Sequence, residues 1–192
     1  MRALITERLA RLSALGSPQA AAGLREAAVL VPLFERPDGL TLLLAQRTKH
    51  LHHHPGQVSF PGGGIEAHDA DPVAAALRET HEEMGIAPTH VDVVGQLAPI
   101  ETRTGFRITP VVGFVDPDVT LKLDAFEVEE AFEVPLDFVL DPRNCEWHTR
   151  RFNGIEVGYY QFSYGGRVIW GATAQILVNF ARELDVPIAP AE

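Results

Sequence analysis

Three glutamates close together in the sequence have the spacing of a metal-binding helix. Glu79, Glu82 and Glu83 stand at positions i, i+3 and i+4, so a helix would project their carboxylates together. Arg78 lies one turn before Glu82 and can brace it. Like charges at this spacing repel one another, and a hard divalent cation, which prefers oxygen ligands, would offset that repulsion. The alternative is an ordinary solvated acidic face.

The helix that carries these acids has start and stop signals of its own. Asp71 is suited to cap it, Pro72 to its first turn, and Gly85 to its end. Its predicted packing side consists of Val73, Ala76, Leu77, Thr80 and Met84. The glycine-rich stretch Gly62–Gly64 precedes the helix and allows the backbone to approach a ligand closely. Loop and helix together predict a pocket for a metal ion and a phosphate group.

Residues 64–86 resemble the Nudix box, the signature of the Nudix hydrolase family. The family pattern is G-x5-E-x7-R-E-U-x-E-E-x-G-U, in which U is a bulky apolar residue, and the R-E-x-x-E-E-x-G-U part is present at residues 78–86. Two positions depart from the pattern, because its early glutamate falls on Ala70 and its first U after R-E is Thr80. Three acids stand near the missing glutamate: Glu66, Asp69 and Asp71.

The resemblance implies a fold, a metal and a reaction. The fold class is α/β, an α/β/α sandwich with a mixed β-sheet. The cofactor is Mg²⁺ or Mn²⁺, and its expected ligands are Glu79, Glu82, Glu83 and the backbone carbonyl near Gly63. The reaction is hydrolysis of a nucleoside diphosphate linked to another group. The family often supplies one more acid from a later region, for which Glu127 is the candidate, and either Glu79 or Glu127 would activate the water.

A second stretch resembles the coenzyme A pyrophosphatase branch of the same family. The branch signature LLTxR[SA]xxxRxxxGxxxFPGG aligns with residues 43–63, with Ala45, Thr48 and His52 at three departing positions. Residues 169–174 are also similar to this branch. The implied substrate is coenzyme A or a derivative, cleaved to 3′,5′-ADP and 4′-phosphopantetheine or its acyl form. Two alternatives stay open: hydrolysis of ADP-ribose or a dinucleotide, and a non-catalytic nucleotide-sensing domain.

Several residues are candidates for contact with the substrate phosphates. Arg47 ends a predicted strand near the glycine-rich loop, and a guanidinium can make paired bonds to phosphate. His52 stands where the branch signature has a second arginine, so it carries positive charge only when protonated. Ordinary surface ion pairs are the alternative for the later arginines. The full candidate set is Arg47, His52, Gly62, Gly63, Arg103 and Arg107.

A cluster of histidines after Arg47 raises a second metal hypothesis. His50, His52, His53 and His54 lie in one short stretch, and clustered histidines are typical of zinc sites. Adjacent His53 and His54, in a loop that ends at a proline, would not readily bind one metal together. The acids of the helix therefore remain the better predicted metal site.

Composition and charge favour one globular domain that binds a small molecule. The 192 residues suffice for a real core, and we expect residues 1–192 to form a single domain with an N-terminal helical extension. A net charge of −10 would repel DNA or RNA, yet it leaves room for a local nucleotide site. No run is apolar enough to span a membrane. Cys145 is the only cysteine, which fits a cytoplasmic location.

Apolar runs and turn signals predict most of the regular elements. Strands are expected at residues 27–34, 40–46, 57–60, 91–97, 107–115, 145–152 and 155–164, the last two joined at Asn153 and Gly154. Further helices are expected at residues 135–140 and 171–184. Leu4, Ile5, Leu9, Leu12 and Leu15 form a helical stripe near the N-terminus. That helix packs on the domain or on a second subunit, so a homodimer stays open.

Overall fold

The computed structural model describes residues 1–15, 23–51, 54–152 and 154–188, with four α-helices, two short 3-10 helices and eleven strands in these ranges. The helices are α1 (Arg2–Leu15), α2 (Pro72–Met84), α3 (Leu136–Leu140) and α4 (Ala172–Glu183). The strands are β1 (Arg25–Arg36), β2 (Gly39–Arg47), β3 (Val58–Ser59), β4 (Gly62–Gly64), β5 (Val91–Gln96), β6 (Ile100–Glu101), β7 (Phe106–Val115), β8 (Val128–Pro135), β9 (Cys145–Phe152), β10 (Ile155–Tyr164) and β11 (Arg167–Trp170). None of the helices in these ranges is long and apolar enough to cross a membrane.

The larger of the two sheets is mixed. Its central order is β3-β2-β1-β7-β5, while β4 pairs with β1, β6 with β7 and β8 with β2. Strands β1 and β7 run parallel, and the other pairs are antiparallel. The short β4 carries the glycine-rich stretch and lies against the first half of β1, because Ala28 pairs with Gly63. The glycines are therefore held by the sheet rather than by a free loop.

Helices cover both faces of this sheet, which confirms the α/β/α sandwich. Successive side chains of a strand point to opposite faces. Leu30 of β1 packs with Ala76 of α2 on one face, and the next residue, Val31, packs with Leu9 of α1 and Leu177 of α4 on the other. The acidic helix α2 therefore lies alone among the four α-helices on its side of the sheet.

The N-terminal helix lies against β5. Its residues Ile5 and Leu9 are fully buried, whereas Leu4 of the predicted stripe is exposed. A side chain at Gly95 would place its Cβ 2.7 Å from the Cβ of Leu9, so the glycine allows this close approach. Arg2 binds Glu35 and Asp92, both at 2.6 Å, and thereby ties the start of the helix to the sheet. These contacts fit the expectation that the helix packs on its own domain.

Four strands were not predicted: the short β4 and β6, and the longer β8 and β11. β8 contains several glutamates, which are uncommon in strands, and this composition hides it in the sequence. In the structure Glu130 accepts two bonds from Arg167, at 2.6 and 2.8 Å, and Glu133 accepts two from Arg36, at 3.0 and 2.6 Å. These ion pairs come from residues distant in sequence, so they allow a strand that local propensity disfavours.

A smaller sheet of three strands, in the order β11-β10-β9, packs beside α4. The predicted β9–β10 hairpin is confirmed, since Ile155 pairs with Phe152 and the register continues to Phe162 and Cys145. Asn153, one of the two predicted turn residues, lies outside the described residues. The side chain of Thr173 at the start of α4 donates a hydrogen bond to the carbonyl of Val58 at 3.1 Å. This bond connects the branch-like tail to the strand that leads into the glycines.

Candidate active site

The acidic helix begins and ends where the sequence predicts. Asp71 accepts a hydrogen bond from the backbone N–H of Ala74 at 2.8 Å, which satisfies one of the free N–H groups of the first turn. Gly85 has a left-handed φ of 72°, and its N–H donates to the carbonyl of His81. These caps place α2 so that its last turn passes the glycine-rich β4.

The three glutamates of α2 lie in three different environments. The side chain of Glu83 is 6% exposed, that of Glu79 is 18% exposed and that of Glu82 is 58% exposed. Glu83 accepts a hydrogen bond from the backbone N–H of Gly62 at 3.1 Å. Helical spacing therefore predicted that the acids share a region of the helix, but it did not show that one of them is buried.

Gly62 and Gly63 allow the sheet backbone to press against these acids. A Cβ added to Gly63 would lie 2.5 Å from the carboxyl carbon of Glu79, a distance that real contacts do not reach. A Cβ on Gly62 would lie 2.3 Å from the carbonyl oxygen of Ala28, and Gly62 has a φ of 151°. Any side chain at either position would displace the backbone or the carboxylate. The glycine-rich stretch thus lies in direct contact with the acids.

Arg47 links the buried glutamate to the later acid. Its guanidinium lies 3.3 Å from a carboxylate oxygen of Glu83 and 3.4 Å from one of Glu127. Backbone bonds hold this arrangement, because the N–H of Thr48 donates to the carbonyl of Glu127 at 2.9 Å and its hydroxyl donates to that of Phe126 at 2.7 Å. The structure therefore brings Arg47, Glu83 and Glu127 together from three distant segments.

Asp69 belongs to the site but was not among the site residues predicted from the sequence. Its carboxylate accepts two bonds from Arg78, at 3.0 and 2.9 Å, and its side chain is 3% exposed. Arg78 also donates to Glu79 at 2.8 Å and to Glu82 at 3.2 Å. The acid thus stands one residue before Ala70, where the family pattern has its early glutamate. The sequence signal for Asp69 was the alanine at this family position, together with the three acids close to it.

The two arginines and the burial set the charge state of the acids. Burial raises the pKa of Glu83 to about 7, an effect that the Gly62 N–H and Arg47 only partly oppose. Burial also raises the pKa of Glu79, although Arg78 acts in the opposite direction. By contrast, the two bonds from Arg78 hold the pKa of Asp69 at about 2. A second positive charge near Glu79 and Glu83 would favour their ionised forms.

The donor chemistry fits a divalent cation, but the carboxylates are not gathered around a common point. In the described ranges, no group of three His, Cys, Asp or Glu side chains is close enough to hold a metal ion. Arg47 and Arg78 instead occupy carboxylate oxygens of Glu79, Glu82 and Glu83. Carboxylate oxygens are ligands that Mg²⁺ and Mn²⁺ prefer, and a cation would neutralise the charge that is costly to bury here. The predicted ligand set stays a prediction.

The remaining phosphate candidates lie on or next to strand β7. Arg107 forms an ion pair with Glu26 at 3.5 Å. Glu26 lies two residues along β1 from Ala28, the partner of Gly63, so this pair is near the glycines. Arg103 is exposed in the turn between β6 and β7. The phosphate contacts of these two arginines stay predictions.

The histidine stretch is only partly described. His52 and His53 lie outside the described residues, so the predicted phosphate contact of His52 stays a prediction. The ring of His50 packs on that of Phe126, with centroids 4.8 Å apart, and His54 binds Gln57 at 2.8 Å. The two described histidines thus have separate partners.

Comparison with known proteins agrees with the fold and the motifs. The family model of the NUDIX domain matches residues 24–152. The chain belongs to the Nudix hydrolase family. The chain is therefore an enzyme of a class that cleaves diphosphate bonds. Enzymes of this class generally use divalent metal ions such as Mg²⁺ or Mn²⁺. The matched range contains the acidic helix, the glycines, Arg47 and Glu127, so every element of the site described above lies within the family domain.

Individual relatives of this Nudix hydrolase extend the match. The chain is 42% identical to the uncharacterized Nudix hydrolase NudL of Enterobacter sp. strain 638 over 166 residues, which is 83% of each protein. A crystal structure of a MutT/nudix family protein from Enterococcus faecalis superposes with a TM-score of 0.54 at 16% identity, over 95% of this chain and 72% of that one. A crystal structure of an Ap4A hydrolase from C. elegans superposes with a TM-score of 0.51 at 20% identity, over 58% of this chain and 80% of that one. At these identities the two structures support the fold alone.

Proposed function

We propose that this Nudix hydrolase cleaves the diphosphate bond of coenzyme A or its acyl derivatives. The products are 3′,5′-ADP and 4′-phosphopantetheine or its acyl form. The proposal depends chiefly on Arg47, the arginine of the branch signature, which lies 3.3 Å from the buried Glu83. The same signature ends in Gly62 and Gly63, which contact the acids directly. The signature and the acids of the Nudix box therefore meet in one place.

The acids suit metal-assisted attack of water on phosphorus. A divalent cation held by Glu79, Glu82, Glu83 and the carbonyl of Gly63 would neutralise diphosphate oxygens and lower the pKa of water. Attack of water on one phosphorus breaks its bond to the bridging oxygen and releases two phosphate monoesters. Glu83 is held in place by the N–H of Gly62, so its role is to bind rather than to move. No covalent enzyme intermediate is needed.

One of the acids accepts the proton of the attacking water. Glu79 is wedged against Gly63 and bonded to Arg78, which restricts its carboxylate. The side chain of Glu127 is 42% exposed, and its carboxylate lies 3.4 Å from the guanidinium of Arg47. Glu127 is therefore the better general base, since it is open to solvent and less constrained. Exchange of Glu127 for Gln should therefore lower kcat.

Positive side chains around this centre would bind the phosphates. Arg47 stands between two carboxylates, and the diphosphate could take over its donor groups once a cation occupies the acids. Arg103 is exposed in the turn before β7, Arg107 is close to the glycines through its partner Glu26, and His52 would add charge when protonated. Coenzyme A carries a phosphate on its ribose in addition to its diphosphate, so a second cationic contact would favour it.

A substrate panel tests the proposal. Coenzyme A, dephospho-coenzyme A, ADP-ribose and a diadenosine polyphosphate are each incubated with the protein and Mg²⁺ or Mn²⁺, and the products are identified by mass spectrometry. Dephospho-coenzyme A is the matched control, because it lacks only the ribose phosphate. We expect kcat/KM for coenzyme A to exceed that for dephospho-coenzyme A about tenfold, the value of one charged hydrogen bond.

The other outcomes identify the alternatives. Faster turnover of ADP-ribose or the dinucleotide than of coenzyme A would replace the proposed substrate while keeping the metal-dependent reaction. Tight nucleotide binding without metal-dependent turnover would instead favour a sensing domain. Retention of Glu79, Glu82 and Glu83, and the fit of Gly63 against Glu79, argue for catalysis over sensing.

A further inference from the structure

The bonds around Arg78 show how this chain compensates for an absent family residue. Arg78 lies on α2 beside the acids, and the family pattern places a glutamate at the position of Ala70. Ala70 has no carboxylate to offer, yet the guanidinium is satisfied by Asp69 one residue earlier. We infer that Asp69 is the positioning residue that holds Arg78 in place, so that Glu79 and Glu82 can bind the metal. This inference rests on the metal site of the proposed function.

The geometry restrains both partners of this pair. Asp69 accepts from Nε and from one terminal nitrogen of Arg78, at 3.0 and 2.9 Å, and such paired bonds fix the plane of a guanidinium. The same carboxylate accepts the N–H of Glu66 at 2.8 Å, which holds the loop in turn. Arg78 completes its contacts with the carbonyl of Gly64 at 3.1 Å. The pair therefore joins the glycine-rich stretch to the acidic helix.

The charge of Asp69 matters as much as its position. Arg78 is a permanent cation, and it already donates to Glu79 and Glu82 at 2.8 and 3.2 Å. A divalent cation at those two carboxylates must compete with that guanidinium for their oxygens. Asp69 offsets the positive charge of Arg78 and draws two of its donor groups away from the acids. Without Asp69, the guanidinium would bind the two glutamates more strongly and repel the metal more.

Asp71 offers a matched control on the same short segment. It lies two residues after Asp69 and also carries a carboxylate, but this carboxylate accepts the N–H of Ala74 in its role as helix cap. Its removal should destabilise the first turn of α2 and leave Arg78 in place. A comparison of the two positions therefore separates a general weakening of the helix from a specific effect on the metal.

The test measures Mn²⁺ binding directly, by calorimetry and by the electron paramagnetic resonance signal of free Mn²⁺. Asp69→Asn keeps the shape of the side chain and removes its charge. We expect it to weaken Mn²⁺ binding about 10- to 100-fold, the range for residues that orient metal ligands. Asp71→Ala should lower Tm and change Mn²⁺ affinity less than about twofold. Adding Ala70→Glu to Asp69→Asn restores a carboxylate at the family position and should recover much of the affinity.

The results separate this inference from the proposed metal site. If the parent and Asp69→Asn bind Mn²⁺ equally well, the inference is wrong, although the site itself stands. Equal losses of affinity in Asp69→Asn and Asp71→Ala, both measured well below Tm, would reduce Asp69 to a structural role and also overturn it. If the parent binds no Mn²⁺ under saturating conditions, both the site and the inference fail. Recovery by Ala70→Glu supports the positioning role, because a purely local folding defect would not respond to it.

Discussion

The acids of the site fall into two groups, each organised by one arginine, and the groups differ in how firmly they are held. Arg78 binds Asp69, Glu79 and Glu82 at 2.8 to 3.2 Å, and all four residues lie within one short segment. Arg47 reaches Glu83 at 3.3 Å and Glu127 at 3.4 Å from a separate strand. The Arg78 group is therefore a network of short hydrogen bonds, whereas the contacts within the Arg47 group are longer.

The difference indicates which group should respond when metal and substrate bind. Burial raises the pKa of Glu83 in the Arg47 group to about 7, so its charged form is only partly compensated by Arg47 and the Gly62 N–H. In the Arg78 group, burial also raises the pKa of Glu79, but Asp69 has a pKa of about 2 and therefore stays charged and paired with Arg78. We therefore expect the Arg78 group to orient the helix and the Arg47 group to change its partners during the reaction. Five experiments test this comparison.

The largest effect is expected at the buried acid. Glu83→Gln keeps the shape of the side chain and the bond from Gly62 but removes the charge of a proposed metal ligand. Mutation of residues that only orient metal ligands already lowers metal affinity or activity about 10- to 100-fold. Loss of a ligand charge should therefore lower kcat at least about 100-fold. Steady-state kinetics at saturating metal measures it, and the exposed Glu129→Gln is the control. Near-parent turnover would remove Glu83 from the site.

The next effect concerns the contact between the glycine-rich strand and the helix. In Gly63→Ala the new Cβ would lie 2.5 Å from the carboxyl carbon of Glu79, whereas a Cβ on Gly64 would meet nothing within 4 Å. Displacement of a catalytic group by about 1 Å can lower the reaction rate about 100-fold. We therefore expect kcat to fall about 10- to 100-fold in Gly63→Ala. Gly64→Ala is the matched control and should retain activity. Similar activity in the two variants would contradict the tight fit.

Removal of Arg47 tests how the Arg47 group contributes to substrate binding and to metal binding. Arg47→Ala should raise KM for coenzyme A about tenfold through loss of charged hydrogen bonds to phosphate, with a smaller change in kcat. It also leaves Glu83 and Glu127 without their shared cation, so Mn²⁺ binding should be unchanged or tighter. Kinetics and metal titration on one preparation measure both values. Weaker Mn²⁺ binding would show that Arg47 supports the metal ligands instead of competing with them.

The smallest effect is a change of about one proton. Because the pKa of Glu83 is raised from 4.5 to about 7 in the metal-free fold, its carboxyl remains protonated below that pH. Mn²⁺ binding at about pH 6 should therefore release nearly one proton, and at about pH 8 much less. Calorimetry in buffers of different ionisation enthalpy counts the protons. Glu83→Gln should abolish the release, while release that persists unchanged in this variant would assign the proton elsewhere.

The same shift predicts how the stability of the metal-free fold changes with pH. The folded state binds the Glu83 proton more tightly than the unfolded state, so the free energy of unfolding falls as pH rises from about 4.5 to about 7. The contribution is fully present below the unfolded pKa and is lost as pH passes the folded pKa. Thermal unfolding across this range should show a smaller fall of Tm in Glu83→Gln than in the parent.

The family, the fold class and the helix that carries the acids could all be predicted from the sequence. Asp71 and Gly85 cap that helix as predicted, and the motif that ends at Gly63 directly precedes it. These features are local: a cap, a helical spacing and a motif depend on neighbours in the chain. That is why they could be recognised before the structure was known.

The pairing of each acid with its arginine, and the burial of one acid, depend on contacts between distant segments and could not be predicted. Glu82 and Glu83 are adjacent in sequence, yet Glu83 lies beneath Gly62 and Glu82 faces solvent, because the sheet covers one side of the helix only. The bonds from Arg47 to Glu83 and to Glu127 span 36 and 80 residues, and helical periodicity carries no information over such distances. Strand β8 was hidden for the same reason, since its glutamates are stabilised by arginines from distant segments.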